Sequence, residues 1–270
     1  MSGLAREAAS RLGAACIIAL LLVAWLTEPA AAQDQARGLA IMREQEEANR
    51  GFQSETALVR MLLIDASEGR SERIMDVRRL EGSGDEGDKT LIVFKTPTDI
   101  NGTGLLTYQN ATGDDDQWLY LPALKRVRRI AAANRASSFV GSEFTYEDLV
   151  PLDLARYTFR HLRDDTHAGA PVWVVESIPR AKDSGYSRIE MLVSKDTHQT
   201  LRATFYDKRG ELLKAARFEQ WTRQDGKWWR PGSITMENAQ TGKSTVLETQ
   251  QMKVRAGLTA RDFTTRALER

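Results

Sequence analysis

Two groups of side chains in this sequence have the types and spacing to do chemistry. From Asp114 to Ile130 the chain reads DDDQWLYLPALKRVRRI, so three carboxylates lead into an aromatic run and a proline turn, and Lys125, Arg126, Arg128 and Arg129 follow. Such a basic cluster can grip a polyanion, dock on lipid phosphate or an acidic protein surface, or keep a strand edge solvated. The second group is acidic: Asp114 to Asp116, then Glu143, Glu147 and Asp148. Its spacing fits no calcium loop. The expectation there is solvated turn acids and acids paired with neighbouring arginines, in place of a metal site.

Other catalytic signatures are missing from the sequence. It holds no G-x-S-x-G elbow and no H-E-x-x-H pair. His161, His167 and His198 lack metal-ligand spacing and read as solvated surface residues. The glycine-rich EGSGDEG at 81–87 lacks the lysine and the helix start of a phosphate-binding loop, and reads as a hairpin turn. The expectation is a protein that is not an enzyme and carries no cofactor and no metal.

The N-terminus indicates where the chain works. Arg6 and Arg11 precede an apolar run from Leu12 to Leu26, and Ala30-Ala31-Ala32 supplies small residues before Gln33. This is the pattern of a cleaved signal peptide over 1–32, and the apolar run is shorter than the ~20 residues a spanning helix needs. Cys16, the single cysteine, lies inside that run and would leave with it. Residues 33–270 must then be held by a core without disulfides, as one domain, in the periplasm if the leader is of bacterial type. Cleavage removes Arg6 and Arg11 together with Glu7 and Glu28, so the net charge stays at +1. That balance and a secreted location exclude nucleic acid as a partner.

The elements that must position these side chains follow from periodicity. Asp34 to Arg50 reads as a helix ending near Gly51. The period then changes to two. Val59, Met61 and Leu63 fall on one face, and Met75 with Val77 repeats the pattern. Further on, Ile189, Met191 and Val193 form a dry face, as do Leu201, Ala203 and Phe205. Turn signals at 81–87, 110–116, 207–210, 225–226 and 241–242 make antiparallel hairpins of these strands, about ten or eleven in all. The predicted fold class is mainly β: one curved antiparallel sheet, an incomplete barrel, with an N-terminal helix and an apolar inner side.

One long interruption, Ala131 to Leu154, carries Phe139, Val140, Phe144 and Tyr146 among alanines and serines. It reads either as a lid over the sheet or as a packed crossover. Trp118 and Tyr120 share a face of the preceding strand, where they serve as core or as ligand contacts. Pro122 turns the chain after that strand, so Arg126 and Arg128 share one face of the next strand and Val127 and Arg129 the other.

NGTGLLTYQN at 101–110, the block DDDQWLYLPALKRVRRIAAANRASSFVGSEFTYEDL at 114–149 and YSRIEMLVSKDTHQTLRATFYD at 186–207 resemble the outer-membrane lipoprotein-sorting protein family, the LolA-like group. The similarity covers nearly all of residues 36–266. The resemblance implies a half-open barrel whose helices cover an apolar cavity that carries lipid, or the acyl chains of lipoproteins, across the periplasm towards the outer membrane. It also implies an RND-type exporter of the inner membrane as a partner. On this reading the cavity is lined by Val59, Met61, Leu63, Met75, Val77, Trp118, Tyr120, Phe139, Phe144, Ile189, Met191, Val193, Leu201 and Phe205, and Lys125, Arg126, Arg128 and Arg129 dock the partner. The mature chain is expected to be a monomer without a membrane anchor. The alternative is an adaptor or sensor subunit of an inner-membrane exporter or regulator, its interior filled by its own side chains.

Overall fold

The computed structural model describes residues 30–83, 86–110 and 113–269. Most of the expected signal segment lies outside them. Helix α1 spans Ala30–Asn49 and therefore runs through the expected cleavage point before Gln33. Among the described residues no helix is long and apolar enough to cross a membrane. Gly51, with φ of 89°, turns the chain out of α1, a conformation that glycine adopts without steric cost.

Six strands follow in a meander: β1 (Ser54–Ile64), β2 (Arg70–Leu80), β3 (Glu86–Thr96), β4 (Gly104–Asn110), β5 (Asp116–Leu121) and β6 (Arg126–Arg129). After a crossover come β7 (Tyr157–His167), β8 (Ala170–Pro179), β9 (Arg188–Ser194), β10 (Thr200–Tyr206) and β11 (Leu212–Glu219). A small hairpin of β12 (Thr222–Gln224) and β13 (Trp228–Arg230) precedes β14 (Ser233–Asn238) and β15 (Ser244–Val254). Thirteen strands form one curved antiparallel sheet, in the order β6-β5-β4-β3-β2-β1-β15-β14-β11-β10-β9-β8-β7, and it does not close into a barrel. The sequence signals are too few by several strands because short or charged runs such as β6, β12 and β13 carry little alternation.

This order puts β6 and β7 at opposite edges of the sheet. The chain between them, 130–156, must therefore cross from one edge to the other over one face. It does so through short 3-10 turns at Ala132–Asn134, Glu147–Leu149 and Leu154–Arg156. The face it covers is the inner, apolar one. Cross-strand neighbours there include Val59 with Met75, Met75 with Phe94, and Leu105 with both Ile92 and Leu119. In the other half they include Phe205 with Ile189, Ala203 with Met191, and Ala216 with Met236.

Helix α1 lies beside the β7 edge and adds Ile41 and Met42 to the inner core. Gly38 lets the helix come close, since a Cβ there would stand 2.7 Å from the backbone of Arg160.

The outer face has an apolar cluster of its own. Leu91, Leu106, Trp118, Tyr120 and Val127 pack under the C-terminal segment through Phe263 and Leu268. Tyr108 donates its hydroxyl to the Phe263 carbonyl and fixes that segment. Trp118 and Tyr120 therefore do not line the inner side. They are paired across β4 and β5 with Leu106 and Gly104, and that parity points outward. Leu201 also departs from expectation. It is the unpaired residue between Thr200 and Arg202, where the β9–β10 register slips, so it loses the alternation that Ala203 and Phe205 keep, and it joins no buried cluster.

Candidate functional site

The inner face and the crossover that covers it form the candidate site. Val59, Met61, Leu63, Met75, Val77 and Phe139 gather in the cluster of the β1–β5 half. Phe144, Ile189, Met191, Val193 and Phe205 gather in the cluster of the opposite half. The crossover inserts Phe139 and Tyr146 into the first and Phe144 into the second. Phe139, 0% exposed, stacks on Phe94 with ring centres 5.6 Å apart and meets Tyr146 edge-on at 5.7 Å. Phe144 packs with the second cluster, and Leu149 touches both. The side chains expected to line a cavity are thus packed against one another and against this aromatic plug. An open groove of about 930 Å³ lies elsewhere, between α1 and the start of β7, lined by Ala36, Leu39, Leu154, Tyr157 and Phe159 together with Arg43 and Arg180.

Polar contacts hold the plug in place. Lys214 on β11, 2% exposed, donates from Nζ to Asp148 Oδ2 at 2.5 Å and to the Glu143 carbonyl at 2.9 Å. Its ammonium also lies 5.3 Å from the Tyr186 ring centre and 5.4 Å from that of Phe205, a favourable position for a desolvated cation. Asp148 accepts further bonds from the Tyr186 hydroxyl at 2.6 Å and the Thr145 N–H at 2.7 Å. Asn238 donates to Glu143 Oε2 at 2.7 Å, and the Glu143 N–H donates to Thr245 Oγ1 at 2.9 Å. From the other half of the sheet, Arg73 donates to the Val140 carbonyl and Gln117 Nε2 to the Tyr146 carbonyl. Val140 itself sits at φ of 49°, a left-handed backbone that costs a β-branched residue about 1–3 kcal/mol.

Burial sets the protonation behaviour around this latch. The Tyr186 phenol is pushed well above its usual range by burial and by the Asp148 charge. Burial also raises Glu147, although Ser184 Oγ donates to it at 2.5 Å and the Gly185 N–H at 2.8 Å. Asp115 is raised by burial too, against the opposing pull of the Asn110 N–H and Arg156. At the far end of β1, Glu55 is buried, but Arg79 and Arg230 outweigh that burial and hold it below the usual carboxylate range.

The acidic residues therefore divide. Asp115 and Asp116 pair with Arg156 and Arg129, as the arginine-pairing expectation has it. Glu143, Glu147 and Asp148 are partly buried and are not matched to neighbouring arginines. Their partners are Asn238, Ser184 and Lys214, from distant strands and loops. Among the described residues no group of three or more His, Cys, Asp or Glu is placed to hold a metal.

Sequence reasoning passes over Lys214, Tyr186, Asn238 and Arg73. Lys214 did leave a signal, since it shares the parity of the inward Ala216 and so puts a cation on a dry face. Of the basic cluster, Arg128 pairs across the ladder with Leu119 on the inner side, whereas Val127 pairs with Tyr120 and Arg129 with Trp118 on the outer side.

Comparison with known proteins places this architecture. A domain of an outer membrane lipoprotein-sorting protein from Vibrio parahaemolyticus is 41% identical, with a TM-score of 0.85 over 87% of this chain and 100% of that one. A DUF1329 family protein from Desulfovibrio piger is 28% identical, with a TM-score of 0.82 over 87% and 99% of the two chains. A LolA superfamily protein from Nitrosomonas europaea shares the fold at 20% identity and a TM-score of 0.67, covering 85% and 98%. A family model described as "Uncharacterized protein" matches residues 86–270. No curated protein matches the chain.

Proposed function

The chain belongs to the outer-membrane lipoprotein-sorting, LolA-like family, and from that premise we propose that it is a periplasmic carrier of lipid or of lipoprotein acyl chains, without enzymatic activity. The observation that carries this reading is the plug. Phe139 and Phe144 each fill one half of an apolar face, and the crossover bearing them is held largely by hydrogen bonds and one buried ion pair. If the crossover lifts, a continuous apolar surface from Val59 to Phe205 is offered to acyl chains in its place. The direction of transfer is towards the outer membrane, and an RND-type exporter of the inner membrane is the protein partner.

The adaptor or sensor reading has one observation in its favour, since the inner face is filled by the chain's own side chains. Native mass spectrometry of protein recovered from the periplasm of a bacterial host separates the two. Bound lipid, lost when the protein is passed over a hydrophobic resin and regained on mixing with vesicles, supports the carrier. A bare chain that takes up no lipid under any of these conditions rejects it.

A further inference from the structure

The tip of the β5–β6 hairpin has features that neither the core nor the plug uses. Pro122–Leu124 form one 3-10 turn, and Lys125 takes a left-handed conformation, φ 48° and ψ 41°, that sends the chain into β6. Leu124 is 58% exposed, the most of any large hydrophobic side chain among the described residues. Ala123, Lys125, Arg126, Arg128 and Arg129 are exposed around it. Arg129 pairs with Asp116. Among the described residues no carboxylate lies within ion-pair distance of Lys125, Arg126 or Arg128.

Several strand cations elsewhere are neutralised by facing carboxylates. Arg60 meets Glu72 and Glu248, Arg217 meets Glu237, and Arg160 meets Glu176. One exposed leucine is ordinary on any surface. A leucine at a projecting tip beside three uncompensated cations is a different combination. It matches the layering of a bilayer interface, where phosphates lie above the acyl boundary. Because β6 is the edge strand, the neighbouring ladder covers the tip from one side only.

We propose that this tip, Pro122 to Arg128, is a contact site for the surface of an anionic phospholipid bilayer. Leu124 enters the acyl boundary while Lys125, Arg126 and Arg128 lie among the headgroup phosphates. Arg128 is on the inner side of the ladder, and β6 runs at Ile130 directly into the crossover, so the contact lies beside the face that the plug covers. The proposal goes beyond the carrier reading and does not depend on the cargo.

Flotation with vesicles tests it, using protein secreted by a bacterial host with its own leader. Vesicles of phosphatidylglycerol mixed with phosphatidylcholine should bind the protein in a salt-sensitive manner, and vesicles of phosphatidylcholine alone should not. The double variant Arg126→Ser/Arg128→Ser should bind the anionic vesicles roughly 30-fold more weakly, at about 5-fold per cation. Leu124→Ser should weaken binding about 10-fold, with unfolding temperature unchanged in both variants. In Leu124→Trp, the introduced indole should shift to the blue on anionic vesicles and be quenched by brominated acyl chains. Variants that bind as tightly as the parent, or an indole that brominated lipid leaves unquenched, would overturn the proposal. A parent that ignores anionic vesicles while a photo-crosslinker at position 124 captures a membrane protein in cells also overturns it, and reassigns the tip to a protein surface.

Discussion

Lys214 and Asp148 stand 2.5 Å apart across 66 positions of sequence, both buried, one on the sheet and the other on the crossover. A pair in this position contributes little net stability while intact, because both charges have been taken from water. It is expensive to break, since removal of one partner leaves the other charged and dry. The pair therefore favours one seated position of the crossover over partly lifted ones.

Lys214→Met should destabilise the protein by about 3–5 kcal/mol, and Lys214→Met/Asp148→Asn should recover much of the loss. Urea unfolding measures the energies. Hydrogen exchange should show faster opening of residues 131–154 in the single variant. Equal losses in the single and double variants would mean that the pair acts through packing alone.

Phe139→Ala removes the ring that stacks on Phe94. A cost of about 3–5 kcal/mol is expected, together with stronger uptake of a fluorescent apolar probe, because the vacated space lies on the inner face. Phe263→Ala on the outer face should cost a similar amount and leave uptake unchanged. Uptake that rises equally in both variants would reflect general loosening.

Val193→Asp places a carboxylate at a site with 0% exposure inside an apolar cluster. A loss of several kcal/mol follows from an unpaired buried charge, read as a lower urea midpoint at neutral pH. Part of that loss should return in acid, where the new group is protonated.

Two carboxylates give opposite pH slopes. Glu147 is raised above its ordinary 4.5, chiefly by burial, so the folded state holds its proton more tightly than the unfolded state. Its contribution is full below 4.5 and declines as pH climbs through the folded value. Glu55 is held below 4.5 by Arg79 and Arg230 despite its burial, so its contribution is full above 4.5 and disappears as pH falls through the folded value. Glu147→Gln should flatten the first slope and Glu55→Gln the second in a pH series of urea unfolding. If Glu147→Gln leaves the slope above 4.5 as it was, the Glu147 assignment fails.

Much of the inner face was legible because a period of two is hard to disguise. The alternation at Val59, Met61 and Leu63, and again at Ile189, Met191 and Val193, marks side chains that the sheet does bring together on one side. Alternation does not say which side is which. Trp118 and Tyr120 obey the same period and face outward, because the C-terminal Phe263 and Leu268 give that half of the sheet a second dry face. Leu201 was lost to a bulge, which local sequence does not announce. The latch was the least visible part. It depends on contacts such as Lys214 with Asp148 and Asn238 with Glu143, between residues whose proximity follows only from the crossover's path between the two edges.

The pairing of β1 with β15 bears on how the chain reaches this state. β1 is the first strand to leave the ribosome and β15 the last, yet Arg60 meets Glu248 across 188 positions at the centre of the sheet. The six strands of the first meander can assemble from local hairpins, but their β1 edge stays open until the end of the chain arrives. So large a loop closure is slow and leaves a long, apolar edge exposed in the meantime. Folding should therefore show two phases, the second abolished by truncation before β15, and the half-assembled chain should be the species that a chaperone or protease meets.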